Sequence, residues 1–373
     1  VSSRRCYAID ARLNAYRAGG IAGYTRSLAT AMREQTAADE SLLLLEHRRA
    51  TRPLIAGVAR RRLWTPPHHR LEAFSLPVEL APAGASVLHF PDFIAPRLRP
   101  APAVITIHDL AFLHFPEILD DNARRYYGQV RRAAHDADAI ITVSQATRRD
   151  IVELLQIDDR RIDVIAEAAD ALFRPLGLAE GSRLTVGTVE LQAGSYLLAV
   201  GTIEPRKNLT TLLQALQICR QRRPQTPYRL VLAGARGWLD EPIFAEITDR
   251  GLSDAVIHLA QLTQQDLLQL YNGCRLYANP SRYEGFGLPV LEALACAAPT
   301  LISAVSSLPE VAGDAAAALP PHDAAAWADT IERLWHDDGA RAALAERGPA
   351  RAAQFSWQRA AAETLAVYRR IVR

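Results

Sequence analysis

Lysine is almost missing from this chain. Of its 43 basic side chains only Lys207 is a lysine, which leaves 42 arginines. Composition drift explains the scarcity but not the address. An ammonium is a compact charge on a flexible stem and a guanidinium a planar fork, so the two do not exchange freely at a crowded anionic site. Cysteine is scarce as well: Cys6, Cys219, Cys274 and Cys296 lie far apart, with no CxxC pair and no zinc spacing. They read as buried thiols in a reducing compartment. Long hydrophobic runs are also lacking, since stretches such as 42–45 "LLLL" and 196–200 "YLLAV" fall well short of the roughly 20 apolar residues of a membrane-spanning helix. The opening "VSSRRCYAID" passes directly into a strand-like run, which reads as no leader peptide, with a cytoplasmic location as the default expectation. A net charge of +2 gives nucleic acid little reason to bind.

What is present describes a soluble globular protein. At 373 residues, 49% of them hydrophobic and 23% charged, the chain is long for one core and comfortable for two. Short apolar runs alternate with helical patterns. Strands are expected at 6–10, 86–90, 103–107, 139–143 and 162–166, then in a second series at 196–201, 228–234, 255–260, 275–280 and 299–303. Apolar runs of this kind between helices such as 208–222, 264–272 and 324–335 indicate parallel sheets covered on both faces. Two series predict two doubly wound α/β domains. The polar, glycine-containing stretch 174–195 is expected to connect domains 1–173 and 196–355. At the end, 356–373 "SWQRAAAETLAVYRRIVR" puts Trp357, Ala361, Leu365, Tyr368 and Val372 on one helical face behind a Ser356 N-cap.

Lys207 lies in "VGTIEPRKN", where the first strand of the second series gives way to a helix. That is the carboxyl edge of an open sheet, and helix N-terminal amides there favour phosphate. A diphosphate would be held by Lys207, with Arg206 as a weaker partner; the bland alternative is a surface turn. A second constellation is "SRYEGFGLPVLEALACAAP", 281–299. Glu284 falls in a loop, Gly285 and Gly287 allow close backbone approach, and Pro289 suits the first helical position. Glu292 then falls in the first turn, where the helix dipole alone would favour it. The dipole does not account for Glu284 or the GFG loop. Carboxylates accept hydroxyl pairs, so the two glutamates can hold two sugar rings of one ligand.

In the first domain, Gly19 and Gly20 precede a helix beginning near Ile21, without a dinucleotide fingerprint. His108 and Asp109 in "ITIHDLAF" follow a strand directly. The DxD pattern in "HDADA" 135–139 reads as a solvated helix end rather than a metal site, and no other cluster suggests a metal. The interval 47–70 holds seven arginines, three histidines and no acid. Interleaved with Leu, Ile, Val and Trp, it is either a solvated basic face or a surface for an anionic membrane or a charged lipid acceptor.

With "GGIAGYTRSL", "HDLAF", "VGTIEPRKNL", "LVLAGARGW", "YEGFGLPVLEALA" and "SSLPEVAGDAA" in one chain, the sequence resembles the retaining glycosyltransferases of family 4. The resemblance implies the GT-B fold, two Rossmann-like parallel-sheet domains facing across a cleft, with the tail helix crossing back to the N-terminal domain. It implies that Lys207 binds the diphosphate and that Glu284 contacts the donor sugar beside the amides of Gly285, Phe286, Gly287 and Leu288. Glu292 would take the ribose hydroxyls, His108 would lie by the donor sugar, and Gly20 would belong to the phosphate-side loop. One departure stands out: Thr202 occupies the place where many members carry an arginine. Arg206 is the nearest replacement, but neighbouring residues on a helix point about 100° apart, so it is expected to diverge from Lys207.

The activity so implied is transfer of a hexose from a nucleoside-diphosphate sugar to a glycan hydroxyl, with retention, no cofactor and no metal. GDP-mannose is the favoured donor, because the "GTIEPRKN" and "GARGW" forms resemble bacterial mannosyltransferases of polysaccharide assembly. The acceptor would be a glycan, free or on a polyprenyl diphosphate at the inner membrane face. The alternatives are an epimerase or phosphorylase on the same fold, Lys207 being the one side chain able to form a Schiff base with pyridoxal phosphate, or a non-catalytic nucleotide-sugar or anionic-lipid binding protein.

Overall fold

The computed structural model describes residues 4–16, 19–119 and 121–372; Arg17 and Ala18 of the glycine loop and Arg373 of the tail lie outside the described residues. The chain forms two compact units, one made of Val1–Glu167 with Ser356–Arg373, the other of Ala168–Phe355. Among the described residues no helix is long and apolar enough to cross a membrane.

The first unit is built on seven strands: β1 (Arg5–Asp10), β2 (Glu40–His47), β3 (Ala59–Leu63), β4 (Val87–Phe90), β5 (Ala103–Ile107), β6 (Ala139–Thr142) and β7 (Ile162–Val164). Their order is β3-β2-β1-β4-β5-β6-β7, and every neighbouring pair is parallel. β5 shows why the sequence reads as continuous rather than alternating: all five residues of "AVITI" are buried, as both faces of the sheet are covered. The helix Gly20–Arg33 buries Tyr24, Leu28 and Met32. Beside it the tail helix Trp357–Ile371 starts on Ser356, whose Oγ accepts from Arg359 N at 3.1 Å. It buries Leu365 and Tyr368, the latter ring 5.1 Å from Tyr7.

β3 accounts for three of the seven arginines of the basic stretch. It is the edge strand, and "ARRRL" presents charge where an apolar edge would invite another strand. Arg60 pairs with buried Glu46 at 3.3 Å, Arg61 donates to the Pro82 carbonyl at 3.2 Å, and Arg62 donates to the Arg48 carbonyl.

The second unit opens with an antiparallel hairpin, β8 (Arg183–Val186) and β9 (Val189–Gln192). The stretch 174–195 is therefore part of this unit rather than a connection between domains. Leu184, Val186 and Leu191 enter its core, an apolar alternation too short to stand out among glycines and serines. Six parallel strands follow: β10 (Leu197–Val200), β11 (Leu230–Ala233), β12 (Val256–Leu259), β13 (Leu276–Asn279), β14 (Thr300–Ser303) and β15 (Ala316–Leu319). Their order is β12-β11-β10-β13-β14-β15. The order reverses between β10 and β13, and at such a reversal the loops leaving adjacent strands diverge and open a crevice.

Candidate active site

The loops leaving β10 and β13 carry the residues singled out in the second series. After β10 the chain passes through Gly201, whose φ of +140° would be strained for any other residue. A Cβ there would stand 3.2 Å from Lys207 Cε. A single 3-10 turn, Pro205–Lys207, follows, and the helix Leu209–Arg222 begins only after Asn208. After β13, Ser281 and Glu284 lie in the loop before the helix Leu288–Ala295. Topology thus brings together residues 77 positions apart: Lys207 Nζ donates to Glu284 Oε1 at 2.6 Å.

Arg206 does not diverge. Its Nη1 donates to Glu284 Oε2 at 3.0 Å and to the Tyr283 carbonyl at 2.9 Å, and Nη2 donates to Glu204 Oε1 at 2.6 Å. The expectation assumed an α-helix; the segment is a tight turn, and the two long side chains take one oxygen each of the same carboxylate. Thr202 is exposed at the head of this loop, and with Gly201, Lys207, Asn279 and Ser281 it lines a narrow cavity.

Glu284 is 7% exposed. Burial alone would raise its pKa, but the charges of Lys207 and Arg206, with bonds from Lys207 and Ser281, hold it at about 2. Two further serines fix its peptide: Glu284 N donates to Ser306 Oγ at 3.0 Å, and Ser307 Oγ donates to the carbonyls of Glu284 and Phe286, each at 2.8 Å. Phe286 is buried edge-on against Phe355. Gly287 caps the following helix at φ +108°, where a Cβ would meet Leu308 at 2.9 Å. Leu288 is the first helical residue and Pro289 the second, so Glu292 is fifth and lies beyond the first turn. A helix dipole falls off within that turn, which removes the purely electrostatic explanation for Glu292. Its Oε2 accepts from the buried Tyr271 hydroxyl at 2.8 Å. Burial pushes its pKa up to about 7, the Tyr271 bond opposing and the Asp170 charge adding to the rise.

In the first unit His108 follows β5. Its Nε2 is 3.0 Å from the Pro91 carbonyl and its Nδ1 2.9 Å from Glu167 Oε1. Both partners are acceptors, so the ring must be doubly protonated to satisfy them. Burial opposes the charge, but Glu167 outweighs it and the pKa is raised. Asp109 accepts from Ala111 N at 3.0 Å and so orders the next turn. Gly19 and Gly20, at the start of the helix Gly20–Arg33, have open space where a side chain would be. At the reversal between β1 and β4 lies a cluster that composition gave no hint of. Arg12, 1% exposed, is held between Asp10 (2.6 Å) and Glu72, while His68 Nε2 is 2.6 Å from Asp92 Oδ2. Asp138 of the DxD pattern accepts from Arg99 and from Ala103 N, a structural use. Among the described residues no group of three or more His, Cys, Asp or Glu side chains is arranged to hold a metal ion.

Two doubly wound sheets, the second with its cations and a carboxylate at the strand reversal, define a glycosyltransferase of the GT-B class. The chain belongs to glycosyltransferase family 4: residues 18–171 match Glycosyltransferase Family 4 and residues 190–351 match Glycosyl transferases group 1. The O-antigen chain mannosyltransferase B of Escherichia coli is 35% identical over 285 residues, covering 76% of this chain and 74% of that protein. The serotype-specific mannosyltransferase WbdA of Escherichia coli is 33% identical over 262 residues, 69% of this chain but only 32% of that longer protein. Among solved structures, a sucrose-phosphate synthase from Thermosynechococcus elongatus superposes with a TM-score of 0.75 at 20% identity, over 98% of this chain and 99% of that one. Anabaena HepE, in complex with UDP and glucose, gives 0.73 at 19%, over 97% and 100%. At such identities the two structures speak for the fold alone.

Proposed function

We propose that this glycosyltransferase moves a hexose from a nucleoside diphosphate to a glycan hydroxyl, with retention of configuration, in the building of a cell-surface polysaccharide. Mannose from GDP-mannose is the donor of first choice, supported by the two mannosyltransferases of Escherichia coli. The observation that carries the reading is the convergence of Lys207 and Arg206 on Glu284 at the strand reversal. A diphosphate entering there would draw the two cations to its oxygens. Glu284, so released, would take hydroxyls of the sugar beside the amides of Gly285 to Leu288, and Glu292 those of the ribose.

The bond from the anomeric carbon to the phosphate oxygen breaks as the bond to the acceptor oxygen forms on the same face. The acceptor proton passes to the departing phosphate. Preorganised cations stabilise the charge that develops on the leaving group, so the chain's own residues supply what a bound metal supplies elsewhere. His108, charged through Glu167, contributes a positive field at its sheet edge rather than a lone pair. The acceptor reading rests on the first unit. Polar side chains at the β1–β4 reversal suit sugar hydroxyls, and a groove of about 1050 Å³ next to them is lined by Phe74, Leu98, Arg97, Arg125 and Arg132, a mixture suited to an anionic lipid carrier.

The test is release of nucleoside diphosphate by correctly folded Lys207→Ala and Glu284→Ala, with and without acceptor. Turnover should fall by about two orders of magnitude or more, the scale of removing one preorganised transition-state contact. Wild-type rates in both variants would end the assignment. A thermal-shift series against nucleotide sugars reads the base, and guanine is expected.

A further inference from the structure

We propose that Tyr271 is a positioning residue for the nucleotide: its hydroxyl pins one oxygen of Glu292 so that the other is presented to the vicinal hydroxyls of the ribose. The inference deepens the proposed function, since it rests on Glu292 as the ribose ligand. Tyr271 is fully buried in the helix Gln264–Gly273. Its ring packs edge-on against Phe173 at 5.7 Å and Tyr277 at 5.6 Å, so the hydroxyl has little freedom. It donates to Glu292 Oε2 at 2.8 Å. Among the described residues no donor is bonded to Oε1 of Glu292.

The physical need for such a partner is clear from what surrounds the carboxyl. A glutamate has three rotatable bonds, and fixing one oxygen before the ligand arrives removes an ordering cost from binding. Glu292 is also held in unfriendly company. Asp170, from the segment that opens the second unit, adds a like charge, and Tyr277 from β13 and Cys296, just past the end of its own helix, present no cation. The Tyr271 hydroxyl is the one neighbour that favours the ionised form, and the ionised form makes the stronger, charge-assisted bonds to ribose hydroxyls. Among the described residues the neighbouring Tyr277 hydroxyl is equally buried and is not bonded to Glu292, which makes it a matched control for loss of a phenol in the same wall.

The experiment compares the wild-type chain with Tyr271→Phe, Tyr277→Phe and Glu292→Ala. Calorimetry measures binding of GDP and of 2′,3′-dideoxy-GDP, or of the uracil pair if the thermal-shift series selects uracil. Phenylalanine keeps every ring carbon, and unfolding temperatures check that each variant is folded. Tyr271→Phe should weaken GDP by about five- to tenfold, the size of one typical net hydrogen bond. It should leave dideoxy-GDP nearly unchanged, so that the preference for the ribose hydroxyls collapses. In turnover the donor KM should rise and kcat hold. Tyr277→Phe should match wild type. Equal weakening of both nucleotides by Tyr271→Phe, or an equal effect from Tyr277→Phe, would mean a packing role only and overturn the inference. If Glu292→Ala binds both nucleotides as wild type does, the underlying assignment of Glu292 fails instead. Loss in Glu292→Ala with none in Tyr271→Phe leaves that assignment standing and removes Tyr271 alone. Should Tyr271→Phe not fold, Tyr271→His, which retains a ring donor, must restore part of the hydroxyl preference; its failure to do so also overturns the proposal.

Discussion

Glu284 gives up its proton at about pH 2 because two cations meet it, whereas Glu292, with a phenol and a like charge for neighbours, keeps its proton until about pH 7. The signs follow by linkage. Glu284, lowered from its unfolded value of 4.5, stabilises the fold above that pH and loses the contribution as pH falls through about 2. Glu292 is raised, so its contribution is complete below 4.5 and fades as pH rises through about 7. With Glu292 as the proposed ribose ligand, binding runs the other way, since the carboxylate accepts hydroxyls more strongly than the neutral carboxyl. Nucleotide affinity should therefore climb as pH rises through about 7, by at most about tenfold per unit below it, and level off above. Glu292→Gln, titrated by the same calorimetry, should lack that limb; an unchanged profile would show that a different group titrates.

At the scale of elements, the loop 284–287 is shaped from outside itself. Ser307 is wholly buried and ties two of its carbonyls. Ser307→Ala removes the one hydroxyl proton that the two carbonyls share, which costs about 1–3 kcal/mol. Denaturant unfolding should register that loss, and the donor KM should rise with it because the Glu284 carboxylate loses its fixed backbone. Stability unchanged within error would show that the loop holds itself. The edge strand β3 makes a different prediction. Arg48 covers the exposed Trp64 ring at 4.0 Å, and Leu71, Phe74 and Val78 are exposed nearby in sequence. If this face meets an anionic bilayer, changing Arg61, Arg62 and Arg70 to glutamine should weaken partitioning onto phosphatidylglycerol vesicles, read by sedimentation, by about two orders of magnitude, at about 1 kcal/mol per arginine. Equal sedimentation would leave the arginines with the edge-strand role alone.

For the whole molecule, the last helix is a structural member of the first unit. Glu40, 1% exposed, is held at about pKa 2, foremost by Arg369, whose Nε and Nη2 donate at 2.7 and 2.8 Å. Tyr7 adds a bond at 2.9 Å. Arg369 is itself 41% exposed and Glu40 keeps its bonds from Tyr7 and Ala37 N, so Arg369→Met should cost about 1–2 kcal/mol, and Leu365→Ala about 2–5 kcal/mol through its cavity. Scanning calorimetry should show the transition of the first unit moving down while that of the second stays. Movement of both together would mean that the units unfold as one.

Much of this was legible because the strands are buried on both faces and so announce themselves as apolar runs. β5 was placed at its observed ends. β3 and β15 were not, since one is mostly arginine and the other mostly alanine; neither has strand-like side chains, and each is a strand because its neighbour in the sheet supplies the hydrogen bonds. Lys207, Glu284 and Glu292 stood out through local chemistry: a lone ammonium after a strand, and carboxylates flanking a glycine loop. Their partners did not. Glu167 reaches His108 across 59 positions, Ser307 reaches Glu284 across 23 and Tyr271 reaches Glu292 across 21, and no period or motif links such pairs. The sequence by itself therefore determined the class of fold and which residues stand out as candidates for the chemistry, because burial and backbone approach leave local marks. Only the tertiary structure decided which groups answer those residues and with what charge, because strand order sets which loops meet, and that order is written in contacts far apart along the chain.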